Sequence, residues 1–205
     1  MKKPLVTIII PYKEDRGWLD DAIHSVGMQT YSDIELILAH GDKTQCENFN
    51  IGLGKSTGDY VRWLHDDDLL LPDCVENQVK AMEKVDFIHG NAYFFSSSIT
   101  KVTPYVPKIK LPTLADIITH NHIHSETTMY RRGIFDKIGG YDESLLTAED
   151  MEFNLRCLAH GYKIGYCNKF LAYYRVHGRQ KSRIDGKEIR RKRKQDILDK
   201  YRKML

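Results

Sequence analysis

Three consecutive carboxylates, Asp66, Asp67 and Asp68, follow the run Tyr60 to Leu64, which reads as a buried strand. Burying adjacent carboxylates without partners is expensive, so they belong at a strand's carboxyl end, near a cation or water. In an open α/β sheet that edge is where ligands bind. A divalent metal held there would neutralise a bound pyrophosphate. The plainer alternative is a solvated acidic turn leading into a helix, with Pro72 in its first turn. Two later groups bear on the same chemistry. Asp150, with Glu149 and Glu152, opens a helix, and by itself reads as an acidic first turn. His177 ends a late strand, and by itself reads as a satisfied structural histidine. His120, His122 and His124 alternate without a carboxylate or cysteine at ligand spacing, so they read as an exposed or acceptor-facing loop.

These groups need a scaffold that brings distant segments to one edge. Leu5 to Ile10 is a continuous β-branched run, the mark of a strand buried on both faces. Leu19, Ala22, Ile23 and Val26 recur at helical spacing. Ile34 to Ala39 is a second buried strand, Cys46, Phe49 and Leu53 line a second helix, and Tyr60 to Leu64 is the third strand. This alternation is a Rossmann-like nucleotide-binding half. Its first turn lacks the G-x-G-x-x-G of dinucleotide dehydrogenases. Further on, the spacing predicts a helix from Pro72 to Lys84 and a strand from Asp86 to Phe95. Lys101 to Pro112 is a loop or edge ribbon. Short elements follow at 114–119, 127–130 and 134–138. A helix starts at Ala148, strands lie at 164–167 and 170–176, and a basic helix lies beyond Asp185.

The 205 residues, 41% hydrophobic and 29% charged, suit one soluble globular domain. The net charge of +3 is concentrated in a basic C-terminal stretch. Cys46, Cys74, Cys157 and Cys167 show no C-x-x-C spacing and read as reduced core thiols. No run approaches the roughly 20 apolar residues of a membrane span, and no signal peptide is visible. A cytoplasmic location is expected.

Several segments, in order, resemble the family-2 inverting glycosyltransferases of the GT-A fold. Val6-Thr-Ile-Ile-Ile-Pro-Tyr12 is similar to the family's opening strand and turn. Ser25-Val26 with Gln29-Thr30-Tyr31 resembles its first helix. Asn50, Gly52 and Gly58-Asp59-Tyr60 match the approach to the metal strand, and Leu64 to Pro72 its DXD stretch. Gly139-Gly-Tyr-Asp142, Glu149-Asp150 and Tyr174-Arg-Val-His177 resemble its G-G-F-D, E-D and Y-R-x-H motifs. The resemblance spans roughly residues 4 to 182. It implies a mixed, mostly parallel central sheet with helices on both faces, as a domain over 1–182 followed by a basic helical tail over 183–205.

The resemblance also implies a chemistry. A Mn²⁺ or Mg²⁺ on Asp67 and His177, with Asp66 beside it, would neutralise the leaving diphosphate. Asp150 would be the catalytic base. Pro11, Tyr12 and Glu14 would border the nucleobase and ribose, and Glu149 and Glu126 would face the acceptor. The donor would be a nucleotide-sugar, a UDP-sugar first, and the acceptor a glycan or glycolipid of surface polysaccharide, glycolipid or glycoprotein assembly. Two departures stand out. The second strand ends Ala39-His40-Gly41-Asp42 where the family has Asp-Asp-Gly-Ser, so His40 or Asp42 would have to meet the base. The first DXD position is His65, and Phe49 replaces a commonly basic residue.

A nucleotidyltransferase is the same-fold alternative, disfavoured because Pro11 to Gly17 holds one glycine and two acidic residues. A non-catalytic nucleotide-sugar or nucleic-acid binder is the other. The joint presence of Asp67, Asp150 and His177 argues against it, and nucleic acid is disfavoured as a partner. The basic tail could lie on anionic lipid or pack on the body as a solvated helix.

Overall fold

The computed structural model describes residues 3–180 and 187–204, without the side chains at 187, 189 and 190. The expected domain boundary at 182/183, Arg183 and Leu205 lie outside the described residues.

Five strands run in one direction: β1 (Val6–Tyr12), β2 (Ile34–His40), β3 (Tyr60–Trp63), β5 (Phe87–Phe95) and β8 (Ile164–Arg175). Against them run β4 (Leu69–Leu70), β6 (Val102–Tyr105) and β7 (Met129–Arg131). The spatial order is β2-β1-β3-β7-β5-β8-β4, with β6 paired to the second half of β5. Side chains alternate across a strand. Ile9, Val61 and Trp63 therefore enter one apolar core, while Val6, Ile8, Ile10 and Tyr60 enter another on the opposite face. The first core is covered by α2 (Gln45–Lys55), α4 (Leu114–Thr119), α5 (Arg132–Ile138) and α6 (Glu149–Ala159). The second is covered by α1 (Leu19–Gly27) and α3 (Cys74–Ala81). Helices flank both faces, as expected. All four cysteines are free thiols in the core.

Two differences from the sequence reading have tertiary causes. The acidic stretch does not run straight into a helix. Leu69 and Leu70 pair instead with Tyr173 and Ala172 of β8, and Leu71 N–H donates to Leu171 O at 3.0 Å. This delays α3 to Cys74, two residues past Pro72. The two late strands are one, β8, whose register against β5 slips between Cys167 and Phe170. Pro104 sits in the edge strand β6, where a missing N–H is tolerated.

The tail helix α7 (Lys187–Arg202) packs on the body. Ile197, Leu198 and Tyr201 are buried in the first core, and Tyr201 donates its hydroxyl to Glu152 Oε1 at 2.6 Å. Those three side chains are covered by the body, while Arg191, Lys192 and Lys194 stay exposed. Among the described residues no helix is long and apolar enough to cross a membrane.

Candidate active site

Strands β1, β3, β5 and β8 end at the same edge of the sheet. There a cleft of about 340 Å³ is lined by Arg16, Trp63, His65, Asp67, Asp150 and Tyr174, among others. The pairing of β4 with β8 brings the end of β8 beside the carboxylates that follow β3. Asp67 Oδ2 lies 2.9 Å from His177 Nε2 and 3.0 Å from Arg16 Nη2. The same Arg16 nitrogen donates to Asp66 Oδ1 at 2.7 Å. Asp68 is buried, and its Oδ1 accepts the backbone N–H of Arg175 at 2.7 Å. Its Oδ2 has no hydrogen-bond partner among the described residues.

The environments divide the three carboxylates. Burial raises the pKa of Asp66, and Arg16 offsets only part of this. Burial acts the same way on Asp67, but the charges of His65, Arg16 and His177 outweigh it and lower the pKa. Asp68 is pushed well above the ordinary range by burial and by the charges of Glu126 and Asp67. Asp67 is thus the one of the three whose surroundings lower its pKa.

Glu126, expected on the acceptor side, does not line the cleft. It is fully buried beneath the cleft, paired through Oε1 with Nδ1 of His65. Burial disfavours a charged imidazole, yet Glu126, Asp68 and Asp67 outweigh it and raise the His65 pKa to about 10. The ligand atoms of His65, Asp68 and Glu126 lie within 4.8 Å of one another and could hold a cation. Of these three, His65 and Glu126 pair directly. Glu126, the partner of His65, lies 61 residues away in sequence.

Asp150 and Glu149 reach the cleft from the start of α6. The helix begins after Ala148, which takes a left-handed φ of 64°, and no side chain caps its first turn. Burial and the neighbouring Glu149 raise the Asp150 pKa to about 6. The preceding Gly-Gly-Tyr-Asp turn is clamped by Asn50. Its Nδ2 donates to Tyr141 O at 2.8 Å and to Glu143 Oε1 at 3.0 Å, and its Oδ1 accepts Tyr141 N–H at 2.9 Å. A Cβ on Gly140 would stand 2.2 Å from Asn50 Oδ1, so any larger residue there would push the Asn50 amide out of its clamp. Arg156 of α6 holds the same turn by donating to Ile138 O and Gly140 O, both at 2.7 Å. Asn50→Ala removes the clamp and leaves the backbone of Tyr141 unpaired. A loss of about 1–3 kcal/mol in urea unfolding is expected, and Asp150, at the start of the helix after this turn, loses its support.

Pro11, Tyr12, Glu14, His40 and Asp42 cluster at the tips of β1 and β2, and none of them lines the cleft. The rings of Tyr12 and His40 lie 4.8 Å apart. Asp42 is exposed and pairs with Lys13 at 2.5 Å. His124, with Asn121 and Ile123, lines the cleft, whereas the rings of His120 and His122 contact each other at 4.9 Å. Arg16, Trp18, Arg175 and Arg179 were not singled out from the sequence. The signal for them was charge balance: three carboxylates at one strand end call for cations, and arginines flank both the β1–α1 turn and the end of β8.

Residues 38–139 match the family described as Glycosyl transferase family 2. An uncharacterized glycosyltransferase of Methanocaldococcus jannaschii is 26% identical over 224 residues, covering 92% of this chain and 77% of its own length. One from Rickettsia typhi is 30% identical over 210 residues, covering 86% and 65% respectively. The chain belongs to glycosyl transferase family 2. Two solved structures share its GT-A fold. S. aureus TarS 1–349 in complex with UDP-GlcNAc superposes with a TM-score of 0.73 at 14% identity, over 96% of this chain and 66% of its own. The mannosyltransferase PcManGT of Pyrobaculum calidifontis, in complex with GDP-Man and Mn²⁺, gives 0.67 at 15% identity, over 87% and 59%. This family-2 chain thus spans about two thirds or less of several proteins it matches.

Proposed function

We propose that the cleft binds a nucleoside-diphosphate sugar with a divalent cation and transfers the sugar to an acceptor hydroxyl with inversion. The observation that carries this reading is the meeting of Asp67, tied to His177, with Asp150 on one cleft at the carboxyl edge of the sheet. Asp67 and His177 fit a cation. Their donor atoms are 2.9 Å apart, close to the roughly 3 Å between neighbouring ligands on an octahedral ion with bonds of about 2.1 Å. The cation, Mn²⁺ or Mg²⁺, would supply positive charge to the leaving diphosphate. Imidazole among the ligands suits manganese better than magnesium. The complexes of TarS with UDP-GlcNAc and of PcManGT with GDP-Man and Mn²⁺ support the same ligand classes.

Asp150 accepts the proton of the acceptor hydroxyl as that oxygen attacks the anomeric carbon. Glu149 stands beside it on the acceptor side. Trp63 Nε1, His124 Nδ1 and Thr147 Oγ1 belong to cleft residues and are buried without a partner among the described residues. Buried polar atoms are normally paired, so these three await a polar ligand such as a sugar. Pro11, Tyr12, Glu14, His40 and Asp42 border the nucleobase. Residues 1–182 form the catalytic domain, 183–205 a basic tail, and the acceptor is a glycan or glycolipid. A thermal-shift panel of uridine, thymidine and guanosine diphosphates, with and without Mn²⁺, tests the donor reading. At 100 times its dissociation constant a ligand adds about 2.7 kcal/mol of stability. A cation-dependent rise is expected for at least one nucleotide, and no rise for any would defeat the reading.

A further inference from the structure

Arg16 occupies a position that the proposed chemistry would give to another cation. It lies in the turn between β1 and α1, one residue before Gly17, whose φ is +88°. One terminal nitrogen, Nη2, makes both contacts, to Asp66 at 2.7 Å and to Asp67 at 3.0 Å. A guanidinium carries five N–H donors, and no other hydrogen bond from this side chain is made among the described residues. Asp67 Oδ2 is the very oxygen that faces His177. Arg16 and a divalent cation would therefore call on the same atom.

The surroundings add positive charge. The guanidinium carbons of Arg175 and Arg179 lie 5.3 and 4.7 Å from the centre of the Trp18 ring, that of Arg16 at 5.8 Å, and the His177 ring at 4.4 Å. Arg175 is held in place, donating to Asp67 O at 2.8 Å and to Asp21 Oδ2 at 3.3 Å. Arg179 donates to the carbonyl of Arg16 at 3.0 Å. A cation arriving on Asp67 would leave Arg16 with like charges around it and a weakened anchor. A diphosphate in the cleft is the anion within its reach, and a guanidinium suits phosphate oxygens through paired N–H donors.

We infer that Arg16 is an internal counter-ion that competes with the divalent cation for Asp66 and Asp67 and, once displaced, binds the diphosphate of the donor. The inference rests on the reading of the cleft as a nucleoside-diphosphate site. It makes cation and donor binding mutually favourable beyond their direct contact, because whatever draws Arg16 away frees the carboxylate oxygen. Such linkage is reciprocal.

The test is Arg16→Gln, with Arg16→Lys as a second variant that keeps the charge and loses the fork. Mn²⁺ binding without nucleotide is read by the loss of the free-Mn²⁺ paramagnetic resonance signal. Uridine and guanosine diphosphate binding at saturating Mn²⁺ is read by calorimetry. In Arg16→Gln, Mn²⁺ alone is expected to bind more tightly by roughly fivefold or more, the lower end of ordinary site coupling, while the diphosphate binds more weakly by a similar factor. Arg16→Lys should fall between. A structural role would weaken both or change neither, and either result overturns the inference. A wild-type protein that binds no diphosphate with Mn²⁺ overturns it together with the reading of the cleft. Wild-type binding with the wrong response in the variants overturns the role of Arg16 alone.

Discussion

Asp150→Asn is expected to fold and bind donor like the wild type while transferring sugar roughly 10²–10⁴ times more slowly, the range for loss of a general base. The substitution keeps the shape of the side chain and removes its ability to take a proton. Asp150 lies on the cleft wall at the start of a helix whose first turn has no side-chain cap. Burial and Glu149 bring its pKa to about 6, so it is ionised at neutral pH yet basic enough to help. The rate should rise with pH through a limb at about 6 or below, since a cation nearby would lower the value further, and the variant should lose that limb. The stability argument has the opposite sign. The folded pKa lies above the ordinary 3.8, so the fold prefers the protonated form. That preference costs nothing below the ordinary value and is fully felt above about 6. The amide removes this cost, so the variant should melt no lower than the wild type at pH 7–8. Lower melting together with lost donor binding would make the residue structural. Glu149→Gln should have the smaller effect, through charge at the helix start.

Asp67→Ala is expected to remove cation-dependent donor binding, by more than the roughly 10–100-fold that follows loss of a residue merely supporting a metal ligand. Three groups lose their partner at once: the proposed cation, His177 Nε2 and one contact of Arg16. Asp66 cannot take over simply, because burial raises its pKa and Arg16 already holds it. His177→Ala should weaken binding less, since a carboxylate would remain. Calorimetry with Mn²⁺ and a nucleoside diphosphate distinguishes these outcomes, and unchanged affinity in the Asp67 variant would refute the cation assignment.

The scaffold was legible because its signals are local. The β-branched run of β1, the helical spacing of α1 and the apolar Cys46, Phe49 and Leu53 of α2 each lie within one element. The carboxylates were legible for the same reason, as adjacent residues after an apolar run. Long-range compensation left no local trace. Glu126 reads as one acidic residue in a loop, and only the folded chain buries it against His65. Arg16 reads as one charge in a mixed turn, and only the fold sets it 50 residues away against Asp66. The two-residue strand β4 is too short for any periodicity, yet its pairing with β8 carries His177 to Asp67. Asn50 was visible as part of a motif, but its work on the turn before α6 needed the 91-residue contact to Tyr141.

The most direct measurement is the configuration of the first sugar product, followed by proton NMR during turnover of an α-linked nucleotide-sugar by the wild type and by Asp150→Asn. A single displacement with Asp150 as base requires the β anomer first from the wild type and a much slower signal of the same anomer from the variant. An α product from the wild type, or an undiminished rate in the variant, would contradict the mechanism.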